Sequence, residues 1–126
     1  MNNVARMEIP NRMRSVNVRM LIDEMPIVAT MDYLISDSGI SPVAVWVKTK
    51  KSESTLDREL RSSGKAVSLL LQYGCSLKEI SETFTRDSII GSAVWYVYKN
   101  LEDIIVGNQP DKLPNLSTQP TGYTIK

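Results

Sequence analysis

Hydrophobic and polar residues alternate along three stretches in the first fifty residues of the chain. Apolar side chains occupy every second position from Val16 to Ile22, and a period of two returns over residues 29–35 and 43–47. A period of two is typical of a half-buried β-strand. Residues 36–39, with the order Ser-Asp-Ser-Gly, have the composition of a hairpin turn. The pattern therefore predicts an antiparallel meander of three strands.

After Ser54 the period becomes helical. Ser54 or Thr55 can cap the helix, with Asp57 placed to reach back in a capping-box arrangement. The apolar residues that define the predicted helix face are Leu56, Leu60, Val67, Leu70 and Leu71. Gly64 lies in the middle of this helix, where glycine is unfavourable, and it indicates a close approach by another element. Ser76 and Glu79 have the spacing of a capping box and predict a second helix. Residues 90–101 predict a third helix, although Val94–Tyr98 has the composition of a strand.

The succession of elements predicts an α+β fold, with an antiparallel three-stranded sheet followed by two or three helices packed on one face. We expect a single α+β domain over residues 15–106. Residues 1–14 are interpreted as a flexible basic arm. Residues 107–126 lose all periodicity and contain Pro110, Pro114 and Pro120, so we expect a tail that is disordered or becomes ordered on a partner.

The composition is ordinary for a globular domain, and the charge is balanced. Of the 126 residues, 15 are basic and 14 acidic, which gives a net charge of +1. This balance argues against coating nucleic acid or an anionic membrane by bulk charge, although a local basic patch remains compatible with it. The apolar stretches are far shorter than the roughly 20 residues that span a bilayer. The first residues have no apolar run of the kind found in signal peptides. We expect a cytoplasmic protein.

Two residue types restrict the chemistry of the chain. It has one cysteine, Cys75, and no histidine, which excludes zinc sites of the Cys/His type, Ser-His-Asp triads and Cys-His dyads. Cys75 lies between two predicted helices, and we interpret it as structural rather than redox-active. The carboxylates fall at turns and helix starts without a specific spacing. We therefore expect no catalytic residue, no metal and no cofactor.

Two sets of residues are candidates for binding. The aromatic residues predicted to contact a protein partner, including a second copy in a homodimer, are Trp46, Trp95, Tyr96 and Tyr98; base stacking is the alternative for them. The basic residues predicted to contact nucleic acid, if it is bound, are Arg12, Arg14, Lys48, Lys50, Lys51, Arg58, Arg61 and Lys65. A helix-turn-helix with its turn at Gly74 is disfavoured, because residues 77–84 contain only one basic residue, Lys78, beside two glutamates.

Three motifs are similar to one known family. Ser68–Ile80 closely resembles the segment S-L-x-L-Q-Y-G-V-P-L-E-E-I of the TSCPD-type domain near the C-terminus of adenosylcobalamin-dependent (class II) ribonucleotide reductases. Residues 9–15 resemble L-P-N-R-R-x-S, which opens the small stand-alone relatives of that domain in bacteria and phages. Residues 84–93 resemble L-T-R-D-S followed by I-G-A. The motifs occur in the family's order and together span roughly residues 9–101.

The resemblance implies a fold and an accessory role, not reductase activity. The large barrel that carries the reductase chemistry is absent, Cys75 has no partner cysteine, and Ser52–Ser54 replaces the family's glycine-serine step. We therefore expect a non-catalytic interaction module that binds a protein partner in nucleotide or nucleic-acid metabolism. The alternatives are a nucleic-acid-binding protein that uses the basic arm and the lysine cluster, and a small phage-borne inhibitor of a host enzyme complex.

Overall fold

The computed structural model describes residues 5–6, 13–50 and 54–118. Three long strands come first, four helices follow, and a short strand comes last. In chain order the elements are β1 (Arg14–Ile22), β2 (Met25–Ser36), β3 (Gly39–Thr49), α1 (Thr55–Gln72), α2 (Leu77–Thr83), α3 (Ile89–Lys99), α4 (Leu101–Ile105) and β4 (Asn115–Leu116).

The predicted three-strand meander is present and is built from two tight hairpins. Asp23 and Glu24 join β1 to β2, both with positive φ (49° and 67°), which matches the type I′ turn favoured between twisted antiparallel strands. Asp37 and Ser38 join β2 to β3, and Ser36 pairs with Gly39. These two-residue connections set the register of the strands. Alternate residues share one face except at a bulge between β2 and β3, where the register shifts at Asp32/Tyr33 and Val43–Val45 are all buried.

The prediction of a three-stranded, purely antiparallel sheet is wrong. The sheet has four strands in the order β3-β2-β1-β4, and β4 runs parallel to β1. The Leu21 N–H donates to the Pro114 carbonyl (2.7 Å), and the Asp23 N–H donates to the Leu116 carbonyl (2.8 Å). The fourth strand lies in the segment that the pattern assigned to the tail. A strand of two residues is too short to show any alternation.

The hydrophobic core lies between one face of the sheet and the helices. From the strands it takes Val18, Met20, Ile22, Ile27, Ala29, Met31, Val45 and Val47, and from the helices Leu60, Val67, Ile80, Ala93, Val94 and Val97. The helical interpretation of Val94–Tyr98 is confirmed. Packing of an apolar face stabilises a helix more than intrinsic propensity does, and this explains a helix in a segment of strand-like composition.

Helix α1 closes the outer edge of the sheet. Ser68 Oγ accepts the Val45 N–H (3.1 Å) and donates to the Val45 carbonyl (3.3 Å). Gln72 Nε2 donates to the Val43 carbonyl (3.2 Å). These backbone groups belong to edge strand β3 and would otherwise be available to another strand. The same glutamine accepts a hydrogen bond from Arg6 of the N-terminal segment (2.6 Å).

Helix α1 contacts strand β3 over its whole length because the contacting segments of the two elements are nearly equally long. At the other end of the contact, Asp57 Oδ1 accepts the Thr49 N–H (3.4 Å). From Asp57 to Gln72 a helix rises about 22 Å, and from Thr49 back to Val43 a strand spans about 20 Å. Side chains of α1 can therefore reach backbone groups of β3 along the whole contact, with the two elements antiparallel.

The predicted close approach at Gly64 is confirmed. A Cβ atom at Gly64 would lie 3.2 Å from the Val45 carbonyl oxygen and 3.3 Å from Cε3 of Trp46. The backbone of α1 therefore rests directly on β3, with the indole ring of Trp46 against it.

Candidate binding surfaces around helix α1

An apolar stripe on α1 is exposed although the helix is already packed on the sheet. Leu69, Leu70 and Tyr73 are 42%, 37% and 46% exposed, and Ala66 is exposed beside them. Their spacing of three, four and seven residues places them on one side of the helix. We call these four residues the helix stripe. The sequence prediction that Leu70 belongs to the buried face is wrong, because Leu60, Val67 and Leu71 form that face instead.

A groove continues from the helix stripe at the C-terminal end of α1. Its volume is about 390 Å³, and its apolar walls are formed by Ile40, Pro42, Leu71, Leu77, Tyr98 and Leu101. We call it the terminal groove. Gly74 and Cys75 line it and follow Tyr73 directly in the chain, so the groove begins next to the C-terminal end of the helix stripe. The Cys75 N–H donates to the Leu70 carbonyl (3.0 Å), which holds this turn against the helix end.

A second groove, of about 410 Å³, lies between β3 and the N-terminal half of α1. Trp46 and Lys48 come from the strand, and Arg61 and Lys65 come from the helix; we call this set the basic groove, and the buried Asp57 also lines it. Arg61 lies 3.1 Å from the buried carboxylate of Asp57. Within the described ranges Lys48 and Lys65 form no ion pair. The structure thus joins one predicted aromatic residue to three predicted nucleic-acid contacts.

The other predicted aromatic residues lie on α3, apart from Trp46. The Arg86 guanidinium lies 3.8 Å from the ring centroid of Trp95, which is partly buried. Tyr98 lines the terminal groove. Burial, together with the negative charge of Asp103, raises the pKa of Tyr96 above its usual value. The four aromatic residues therefore do not form the single surface that an interface made of them alone would need.

The remaining predicted basic residues are scattered. Arg14 lies opposite Tyr33 on β2, whereas Lys48 lies opposite Val28. Five residues of strand, about 16 Å, separate these two positions on β2. Lys50 and Arg58 are exposed close to the basic groove, at the end of β3 and in the first turn of α1. Arg12 and Lys51 lie outside the described residues.

Two carboxylates have structural partners. Asp23 accepts hydrogen bonds from the hydroxyl and the backbone N–H (3.0 Å) of Thr118, and these lower the pKa of Asp23. Glu79 accepts the Ser76 N–H (2.9 Å), and this bond lowers the pKa of Glu79. The predicted capping box at Ser76 is confirmed. Both acids hold backbone in place.

Metal-binding and membrane-spanning features are missing from the part of the chain that the structure describes. There, no three His, Cys, Asp or Glu residues are grouped so that they could hold a metal ion. Among the same residues, no helix combines the length and the apolar character needed to cross a membrane.

Comparison of the chain with protein-family profiles, curated proteins and solved structures gives no match. The resemblance to the TSCPD-type domain therefore stays a prediction from the motifs.

Proposed function

We propose that the protein is a non-catalytic interaction module that docks a helical segment of a protein partner on the helix stripe and the terminal groove. The observation that carries this proposal is the exposure of Leu69, Leu70 and Tyr73 on a helix whose other face is already buried. An amphipathic helix that lies in an apolar groove is a recurrent mode of protein recognition. Exposed aromatic and aliphatic side chains beside a pocket supply the anchors of such interfaces.

The charges around this surface define the chemistry of the partner. Lys78 lines the terminal groove. A docked helix with acidic residues beside its apolar face would meet this lysine where it enters the groove. Complementary charges of this kind fix orientation and speed association more than they add affinity.

The size of the surface favours a short segment over a large partner face. From Ala66 to Tyr73 the helix rises only about 10 Å. Stable dimers bury about 800 Å² on each partner, and the helix stripe supplies only a fraction of that area. A single docked helix that inserts into the terminal groove needs a smaller contact area, which the helix stripe and the groove can supply.

The class of the partner follows from the resemblance to the reductase domain. An accessory module related to that domain would act on an enzyme of nucleotide or nucleic-acid metabolism. A phage-borne inhibitor could use the same surface, and it would differ in lowering the activity of the enzyme that it binds.

The test uses two labelled peptides and the full chain. One is an amphipathic helix with leucines at positions i, i+3, i+4 and i+7 and glutamates on both flanks; the other has lysines on the flanks. Fluorescence anisotropy should show tighter binding of the glutamate peptide. The double variant Leu69→Ser/Tyr73→Ser should weaken it about 10-fold or more. Val106→Ser is the matched control, because Val106 is 69% exposed elsewhere.

Two results would contradict the proposal. Equal binding of both peptides would refute the charge complementarity, and unchanged binding by the double variant would show that the helix stripe is not the docking surface. Sedimentation equilibrium provides the second arm. A dimer that the same double variant dissociates would assign the surface to a second copy of the chain.

A further inference from the structure

We infer that the basic groove is a second, independent binding site that takes single-stranded nucleic acid. One base would stack on Trp46, and the neighbouring phosphates would lie on Lys48 and Lys65. Stacking on an aromatic side chain combined with cations along the backbone is the usual means of binding single strands without sequence preference.

Trp46 is a fixed and accessible platform for stacking. Its ring is held against the backbone of α1 at Gly64, where any added Cβ would come within 3.3 Å of ring carbon Cε3. The side chain nevertheless remains 38% exposed. A ring that is already positioned loses little conformational entropy when a ligand stacks on it.

The cations of the basic groove face each other across it. Lys48 projects from the strand and Lys65 from the helix, and within residues 13–50 and 54–118 neither has an acidic partner at ion-pair distance. The charge of Arg61 is compensated in part by Asp57 (3.1 Å). The groove therefore carries a net positive charge although the whole chain has a net charge of only +1.

The sheet face beside the groove extends the path for a ligand. The register places Arg19, Val28 and Lys48 in one row across three strands. Arg19 and Lys48 are exposed and flank the half-buried Val28. Strands lie about 4.8 Å apart, so these two cations are separated by roughly 10 Å. A single strand of a few nucleotides could cross this face and end in the groove.

The shape of the site favours a single strand over other polyanions. A groove of about 410 Å³ has the size of a small-molecule pocket and admits an unpaired base. The bases of a duplex are stacked inside the double helix and are therefore out of reach of Trp46. An acidic peptide would use the lysines but would gain little from a flat aromatic ring. Nucleic acid uses both.

The test measures binding of a fluorescein-labelled oligothymidylate of about 20 nucleotides to the full chain at several salt concentrations. Trp46→Ala should weaken binding roughly 5- to 150-fold, and Trp46→Phe should retain most of it. The double variant Lys48→Gln/Lys65→Gln should reduce the slope of log K against log salt by about 1.4. Lys99→Gln/Lys112→Gln changes net charge equally at exposed positions outside the groove and should leave the slope unchanged. Circular dichroism checks that every variant is folded.

Each of three outcomes would overturn the inference. One is the absence of saturable binding at about 50 mM salt. Another is unchanged affinity in folded Trp46→Ala. The third is displacement by poly-glutamate as effective as by unlabelled oligonucleotide, which would assign the groove to an acidic protein. The double variant at Leu69 and Tyr73 should still bind the oligonucleotide, so failure of one site is distinguishable from failure of the other.

Discussion

Replacing Ser68 with alanine removes both hydrogen bonds between this side chain and the backbone of Val45. Ser68 and Val45 are both buried, so water cannot replace the lost hydroxyl. A buried backbone group left without a partner costs about 1–3 kcal/mol. Alanine recovers up to about 0.5 kcal/mol through its higher helix propensity. Because both the N–H and the carbonyl of Val45 lose their partner, the free energy of unfolding should fall by at least about 1.5 kcal/mol.

The melting temperature gives a second measure of the same change. An unfolding entropy of about 2.1 cal/mol/K per residue, over the 126 residues of the chain, means that 1 kcal/mol shifts Tm by about 4 °C. The Ser68→Ala variant should therefore melt at least about 6 °C below the parent protein. Urea denaturation followed by circular dichroism gives the free energy, and calorimetry gives Tm.

Ser62→Ala is the matched control, because Ser62 is an exposed serine of the same helix. It carries the same change in propensity without loss of a buried hydrogen bond, so it should be neutral or slightly stabilising. If Ser68→Ala proves as stable as Ser62→Ala, the hydroxyl does not close the edge of β3, and our account of how α1 is held to the sheet is wrong.

Two further predictions concern other parts of the fold. Gly91→Ala should destabilise the protein by about 1–3 kcal/mol or more in urea denaturation, because the new Cβ would lie 1.9 Å from the Thr85 carbonyl oxygen. Unchanged stability would contradict the packing at the start of α3. The pKa of Asp23 is lowered in the folded protein. Its hydrogen bonds to Thr118 therefore stabilise the fold at pH values above the ordinary carboxyl pKa, and this stabilisation is lost as the pH falls through the lowered pKa of the folded state. The Thr118 amide resonance should therefore titrate with a midpoint below 3.8, and a midpoint at or above this value, or the same titration in Asp23→Asn, would refute the contact.

The elements that the sequence predicted are those whose periodicity reflects burial. β1 and β2 alternate because every second residue faces the core, and β3 alternates outside its bulge at Val43–Val45. Helices α1 and α2 begin at the capping residues Ser54 and Ser76, and α3 has helical spacing. β4 could not be predicted in this way. It is two residues long, and its place depends on contacts distant in the chain, such as that between Asp23 and Thr118.

The binding surfaces were only partly predictable for a similar reason. Composition marks Trp46, Lys48 and Lys65 as candidates, but whether they lie in one groove depends on how α1 packs along β3. Gly64 was the one signal in the sequence for that contact. The helix stripe was missed because α1 was assigned a single apolar face. The adjacent pair Leu70–Leu71 held the necessary signal, since neighbouring residues of a helix point about 100° apart and cannot both lie at the centre of one face.

Helix α1 therefore has one buried face and two exposed faces. The polar residues on the buried face bind the edge of β3, and this leaves the other two faces exposed to binding partners. If α1 covered the flat face of the sheet through apolar residues alone, the edge of β3 would remain open to another strand. Because Asp57, Ser68 and Gln72 bind the backbone of β3 instead, the helix lies along the edge and both of its flanks stay exposed. One flank carries the helix stripe, and the other forms the basic groove with Trp46. Partner contacts on this chain are thus directed to side chains around α1 rather than to the edge of β3.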